Sequence, residues 1–318
     1  MKLLIIGTQK KSPDEVKCYS DMWMYHLCSA FRSLGIELAF HRGYSPDEDA
    51  TAYADSVITL VKLSSANAIL SPGVRDFTRI PLSIGSRLRD LAGVPVTQIY
   101  DGSLLDGAPV DLTFTVRDDT WKFLGNKSRL FRHQRYNRYV GWAADQSLFY
   151  PEEKQGDQLR IFIDHAAFDV SGYDHSLTIM MNLRDLAALG VTFMARTLTD
   201  DGLIDVDPDN ICLKPYRRKG IPATEFAAEL RQADIFIVTH PESLGLTVLE
   251  AAMCGALVLT PEHCIVPDRL ALVNHVVISS RIDWPTVLEA VDRKANAEKV
   301  AGFTWEAVAG NIIKALTK

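Results

Sequence analysis

Cysteine is scarce in this chain of 318 residues, and the little there is forms no pattern. Cys18, Cys28, Cys212, Cys254 and Cys264 are odd in number and show no CxxC or zinc spacing. That excludes a disulfide framework and predicts reduced thiols in a cytoplasmic protein with no metal site. Long hydrophobic runs are missing too. No apolar segment is long enough to cross a bilayer, so no transmembrane segment is expected. The opening Met1-Lys-Leu-Leu-Ile-Ile-Gly7 turns polar at Thr8-Gln-Lys-Lys11, too soon for a signal peptide. Nor is there a large excess of one charge. The 34 Lys and Arg against 40 Asp and Glu leave a formal net charge of −6, which disfavours generic attraction to nucleic acid or anionic membranes.

What is present is a repeated alternation of short apolar runs and helical periodicity over a length that exceeds one usual core. Strands are expected at Met1–Ile6, Glu37–Phe40, Ala68–Leu70, Thr97–Tyr100 and Leu112–Val116. Further strands are expected at Ile161–Ile163, Val191–Ala195, Ile211–Leu213, Ile235–Val238, Ala256–Leu259 and Val276–Ile278. Helices are expected over Met22–Leu34, Thr224–Gln232 and Glu306–Leu316. The pattern predicts an α/β protein of two Rossmann-like domains with mostly parallel sheets, joined by a linker near the middle of the chain. Ligands then bind beyond the carboxyl ends of strands, and a cleft between the domains is where two substrates would meet.

The densest chemistry lies in His240-Pro-Glu-Ser-Leu-Gly-Leu-Thr-Val-Leu-Glu250-Ala-Ala-Met-Cys-Gly255. The buried-strand pattern Ala233–Thr239 precedes it, and Leu246, Leu249, Ala252 and Met253 recur at helical spacing before Gly255 ends the helix. Backbone amides of Gly245, Leu246 and Thr247 at such a helix start carry partial positive charge and suit a phosphate, and Gly245 permits close approach. Glu242 precedes the helix and Glu250 lies one to two turns inside it, so the two acids cannot hold one atom. Glu250 is expected to accept hydrogen bonds from ribose hydroxyls, as acids do in dinucleotide sites, while Glu242 faces a sugar and Ser243 is a further donor-binding candidate. The plainer alternative makes Glu242 an electrostatic partner of the helix N-terminus and Glu250 a solvated side chain.

Glu242 to Leu259 resembles the E-x7-E signature of retaining GT-B glycosyltransferases of the family 4 type. Gly141-Trp-Ala-Ala-Asp-Gln-Ser-Leu-Phe-Tyr-Pro151 is similar to that family's interdomain segment, with Pro151 at the hinge. Phe303-Thr-Trp305 resembles the aromatic opening of its terminal helix. The resemblance implies residues 1–150 as an acceptor-side domain and 151–318 as a nucleotide-sugar-binding domain, with helix 304–317 packing back on the first. It also implies retention of anomeric configuration, Glu242 as the catalytic residue, and a nucleoside-diphosphate sugar as co-substrate with no cofactor.

Two departures accompany it. Thr8 to Asp21 replaces the glycine-rich loop frequent in the family. No lysine or arginine follows the strand Leu159–Asp164 in the stretch to Ser176, where the family places a pair that neutralises the diphosphate. His175, or Tyr216, Arg217, Arg218 and Lys219 in the basic run Lys214–Lys219, are the candidates to compensate; a basic loop is otherwise simply solvated.

On the acceptor side, Asp101 follows the strand ending at Tyr100 and is a candidate to orient a hydroxyl, the alternative being an Asp-Gly turn. His133 is the nearest candidate for the family's histidine near the donor sugar. Lys127–Tyr139 interleaves cations with Phe131, Tyr136 and Tyr139. It reads as an ordinary packed helix or as a surface for phosphates and stacked bases. The acceptor is thus a hydroxyl-bearing saccharide, lipid-linked molecule or modified DNA base. A sugar-nucleotide epimerase on the same fold and a non-catalytic nucleotide-sugar-binding protein are the alternative functions.

Overall fold

The computed structural model describes residues 1–7, 23–45, 47–71, 82–100, 110–115, 137–164, 176–199, 202–206, 221–238, 245–261, 270–278 and 281–318. In chain order the first half contains β1 (Lys2–Ile6), a π-helical turn (Trp23–Leu27), α1 (Cys28–Ser33), β2 (Glu37–His41), α2 (Ala50–Ser64), β3 (Ala68–Ser71), α3 (Leu82–Leu91), β4 (Val96–Tyr100), β5 (Leu112–Thr115) and β6 (Asn137–Tyr139). The second contains β7 (Leu159–Ile163), α4 (Ser176–Ala188), β8 (Phe193–Thr199), β9 (Gly202–Asp205), α5 (Ala223–Gln232), β10 (Ile235–Ile237) and α6 (Leu246–Met253). It closes with β11 (Leu257–Pro261), β12 (His275–Ile278), α7 (Trp284–Glu289), α8 (Arg293–Val300) and α9 (Trp305–Leu316).

The chain divides into two units, Met1–Ala143 with Phe303–Lys318, and Ala144–Gly302. The division thus falls at 143/144 rather than at 150/151, and the terminal helix belongs to the first unit. Asn311 explains part of this, since its amide donates to the Val140 carbonyl at 3.0 Å. Phe303 also meets Trp142 edge-on, with ring centroids 6.1 Å apart. Residues after 144 are held elsewhere. Arg231, in the last turn of α5, donates to the Leu148 carbonyl at 2.8 Å and to Glu152 at 3.1 Å, and lies over the Tyr150 ring.

In the first unit six parallel strands run in the order β2-β1-β3-β4-β5-β6. Leu3, Leu4, Ile5 and Ile6 are all buried, so both faces of β1 are covered, as a parallel sheet with crossover helices requires. Leu4 and Ile6 share one face with Ile69 and Val96, and pack against Tyr53, Ala54, Val57, Ile58 and Val61 of α2. That stripe recurs at helical spacing, and Asp49 caps α2 by accepting from the Ala52 amide at 2.7 Å.

The second sheet runs β12-β11-β10-β7-β8-β9, parallel except for the antiparallel pair β8–β9. Counted within the unit this is the doubly wound order 3-2-1-4-5-6, with reversal between β7 and β10. Ile161, Ile163, Ile235, Ile237, Leu257 and Leu259 form one face and pack on Ile179, Leu183 and Leu186 of α4 and on Trp284. On the other face Phe162 stacks on Phe236 at 5.9 Å and meets Phe226 of α5 edge-on.

Two strands differ from expectation. Asn137–Tyr139 pairs with β5 as a strand, so the helical reading of Lys127–Tyr139 fails over those three residues; residues 127–136 lie outside the described ones. Gly202–Asp205 returns on β8 as a hairpin strand. The expected strand Ile211–Leu213 lies outside the described residues. Among the described residues no helix is long and apolar enough to cross a membrane.

Candidate functional site

Doubly wound sheets bind ligands beyond the carboxyl ends of the strands at the point where the order reverses. In the second unit that point lies between β7 and β10, paired in register as Ile163↔Ile237. The Asp164 amide extends the pairing by donating to the Ile237 carbonyl at 2.9 Å. Helix α6 opens after β10, and Gly245 occupies its N-cap with φ 63° and ψ 38°. Its carbonyl accepts the first intrahelical bond, from Leu249 at 3.0 Å. A glycine cap has no side-chain oxygen for the first-turn amides, and its left-handed backbone suits the absence of a Cβ. Helix starts of this kind favour anions through the partial charge on their free amides.

Gly245, Leu246, Thr247 and Glu250 are therefore brought together on one helix that opens after a strand of the reversal point. Glu242, Ser243, His175, Tyr216, Arg217, Arg218, Lys219, Asp101 and His133 lie outside the described residues. Glu250 is 7% exposed, which rules out the solvated reading. A carboxylate removed from water needs compensation, and Glu250 is engaged within the structure. Close by, burial raises the Cys254 thiol to about 12, with the Glu250 charge adding to the rise. Burial likewise pushes Cys28 up to about 12. Both thiols stay protonated and inert near neutrality.

The far end of α6 is fastened by structure rather than chemistry. Gly255 has φ +97°, and a Cβ there would meet the Arg293 carbonyl oxygen at 2.6 Å. The Gly255 carbonyl accepts from Asn296 at 2.8 Å, and Arg293 donates to the carbonyls of Arg231 and Cys254. Asp234, just before β10, accepts from the Arg160 amide at 2.8 Å and pairs with Lys154 at 2.7 Å. These contacts lie at the amino ends of β7 and β10, away from the reversal-point crevice.

Sequence reasoning left Asp164 without a role. It is 4% exposed at the carboxyl end of β7, directly beside the strand that leads to α6. An acid directly after the apolar run Ile161–Ile163 is the signal that marks it. Asp111, just before β5, is structural: its carboxylate accepts from the Val96 amide at 2.9 Å. Among the described residues no group of three His, Cys, Asp or Glu side chains is placed to hold a metal ion.

No protein-family model matches the sequence, and no curated protein matches it. Solved structures do. A sucrose-phosphate synthase from Thermosynechococcus elongatus is 13% identical with TM-score 0.63, over 99% of this chain and 99% of that one. A putative UDP-N-acetylglucosamine 2-epimerase from Listeria monocytogenes is 12% identical with TM-score 0.57, over 99% and 95%. Anabaena HepE, solved in complex with UDP and glucose, is 11% identical with TM-score 0.53, over 100% and 99%. At these identities the likeness is one of fold: the chain has the two-unit α/β architecture of the GT-B type, whose similar structures are mostly glycosyltransferases together with epimerases.

Proposed function

We propose that the protein moves a sugar from a nucleoside diphosphate to a hydroxyl-bearing acceptor, as a metal-independent, retaining glycosyltransferase of the family 4 type acting in the cytoplasm. The observation that carries the reading is the glycine-capped start of α6 after β10, a strand of the reversal point of a doubly wound sheet. As the bond from sugar to phosphate breaks, the diphosphate gains charge that the amides of Gly245, Leu246 and Thr247 oppose. His175 or the Tyr216–Lys219 run supplies the cation in place of the absent Arg/Lys pair. Glu250 holds the ribose, Glu242 stabilises the oxocarbenium-like sugar and Ser243 contributes to donor binding. Asp101 and His133 stand on the acceptor side, and no cofactor is required.

In a thermal-shift screen of nucleoside diphosphates and their sugars, a true donor at one hundred times its dissociation constant stabilises by about 2.7 kcal/mol. With that donor, Glu242→Ala abolishes transfer and leaves the fold intact, whereas Glu250→Ala chiefly weakens nucleotide affinity. Transfer at the wild-type rate in Glu242→Ala would falsify the assignment. The likeness to an epimerase structure supports a second reading. Incubation with the nucleotide sugar alone separates the two, because an epimerase changes the donor's configuration with no acceptor present.

A further inference from the structure

Helix α4 covers the second sheet with one face, burying Ile179, Leu183 and Leu186. Its other face is not that of an ordinary surface helix, which carries polar and charged residues toward water. Met181 is 58% exposed and Leu189 56%. Leu189 continues the last turn of α4, since its amide donates to the Asp185 carbonyl at 3.3 Å. Ala187 and Ala188 are exposed as well, and from Met181 to Leu189 only Arg184 and Asp185 carry charge.

Beside this face lies a groove of about 510 Å3. Asp185, Ala188 and Leu189 line one wall, and Arg281, Trp284 and Pro285 line the other. The walls are tied together at their base by Asn182. Its side-chain oxygen accepts from the Ile282 amide at 2.6 Å, and its carbonyl accepts from the Trp284 indole at 2.7 Å. The groove is thus formed in advance, which lowers the ordering cost of filling it. Across its rim Asp185 and Arg281 lie 3.3 Å apart, and both side chains are open to water.

Charge decides what such a face suits. Arg184 and Arg281 are offset by Asp185 and Asp283, so the face has no net positive charge to draw it to an anionic membrane and no net charge to repel its own copy. An acid on one wall and a base on the other also make it complementary to itself. A two-fold axis passing between Asp185 and Arg281, perpendicular to the face, sets the acid of each copy against the base of the other. The same rotation lays the α4 wall of each copy, Leu189 included, on the α7 wall of the other. We propose that two copies of the chain meet here, in a two-fold homodimer centred on the groove between α4 and α7. The contact lies within the second unit and does not depend on which reaction the protein catalyses.

Sedimentation equilibrium of the full chain over a concentration series is the test. Wild-type protein shows a reversible monomer–dimer equilibrium, and Leu189→Glu raises its Kd about tenfold or more by placing a charge within the contact. Leu63→Glu replaces a leucine 79% exposed on α2 of the first unit and leaves the Kd within about twofold. Arg281→Asp and Asp185→Arg each break only an exposed pair within the monomer, so both variants fold. Each sets like charges together across the axis and weakens the dimer about tenfold or more. An equimolar mixture of the two recovers affinity, because every acid again faces a base. Wild-type protein that stays monomeric up to roughly millimolar concentration overturns the proposal. So does a mixture that associates no better than its components, or a Leu63→Glu that dissociates as readily as Leu189→Glu. Binding of monomeric wild type to phosphatidylglycerol vesicles, lost in Leu189→Glu, also overturns it and gives the face to a membrane.

Discussion

Gly255 closes α6 with φ +97°, and the nearest atom to a Cβ at that position would be a backbone oxygen 2.6 Å away. A carbonyl in a helix start cannot swing aside as a flexible side chain can. Gly255→Ala therefore adds a clash to the left-handed penalty and costs about 3 kcal/mol or more. Gly35 and Gly93 also have positive φ, yet nothing stands within 4 Å of their Cβ positions. Alanine at those sites costs only about 1–2 kcal/mol. Urea unfolding of the three variants measures the difference, and equal midpoints would show that the contact with Arg293 yields. Gly255 was legible from the sequence as a helix terminator; the close approach of α8 was not. Glu250 shows the same division. Its spacing from Gly245 followed from the sequence, whereas its burial depends on neighbours that no local pattern reveals.

Helix α5 binds its own unit through its last turn. Arg231 reaches the Leu148 carbonyl, Glu152 and the Tyr150 ring, while Gln232 accepts from the Gln155 amide at 3.1 Å. Removing the guanidinium strands an acceptor and a ring that were chosen for a cation. Arg231→Ala is expected to cost roughly 2 kcal/mol, and hydrogen exchange should quicken over residues 148–155 before any other part of the second unit. Unchanged protection there would mean that the segment is held by Gln232 alone. The central strands β1, β7, β10 and β11 stood out in the sequence because burial on both faces writes an unbroken apolar run. Short edge strands carry no such mark. Asn137–Tyr139 is polar at two of three positions, and Gly202–Asp205 is recognisable only by its pairing with β8.

The chain passes between its two units twice, at 143/144 and at 302/303. Unit one is therefore complete only when the last residues of the chain are in place. Trp305, Val308, Ala309 and Ile312 of α9 are buried in it. At about 1.5–3 kcal/mol for each large apolar side chain removed from water, their loss approaches the whole stability of an ordinary domain. A chain ending at Gly302 should lose protection against hydrogen exchange in β1 and β3, while β10 and β11 keep theirs. Retained protection in β1 would show that the terminal helix is dispensable.

The sequence alone determined the α/β class, the parallel central strands and a glycine-opened helix with acids on either side of its start. Those properties follow from periodicity and from backbone conformation, which are local. Only the tertiary structure decided that the second sheet reverses between β7 and β10, that Glu250 is withdrawn from water, and that α8 closes on Gly255. These depend on which segments distant in sequence pack together, and packing is set by the shape of the whole core rather than by any one stretch of it.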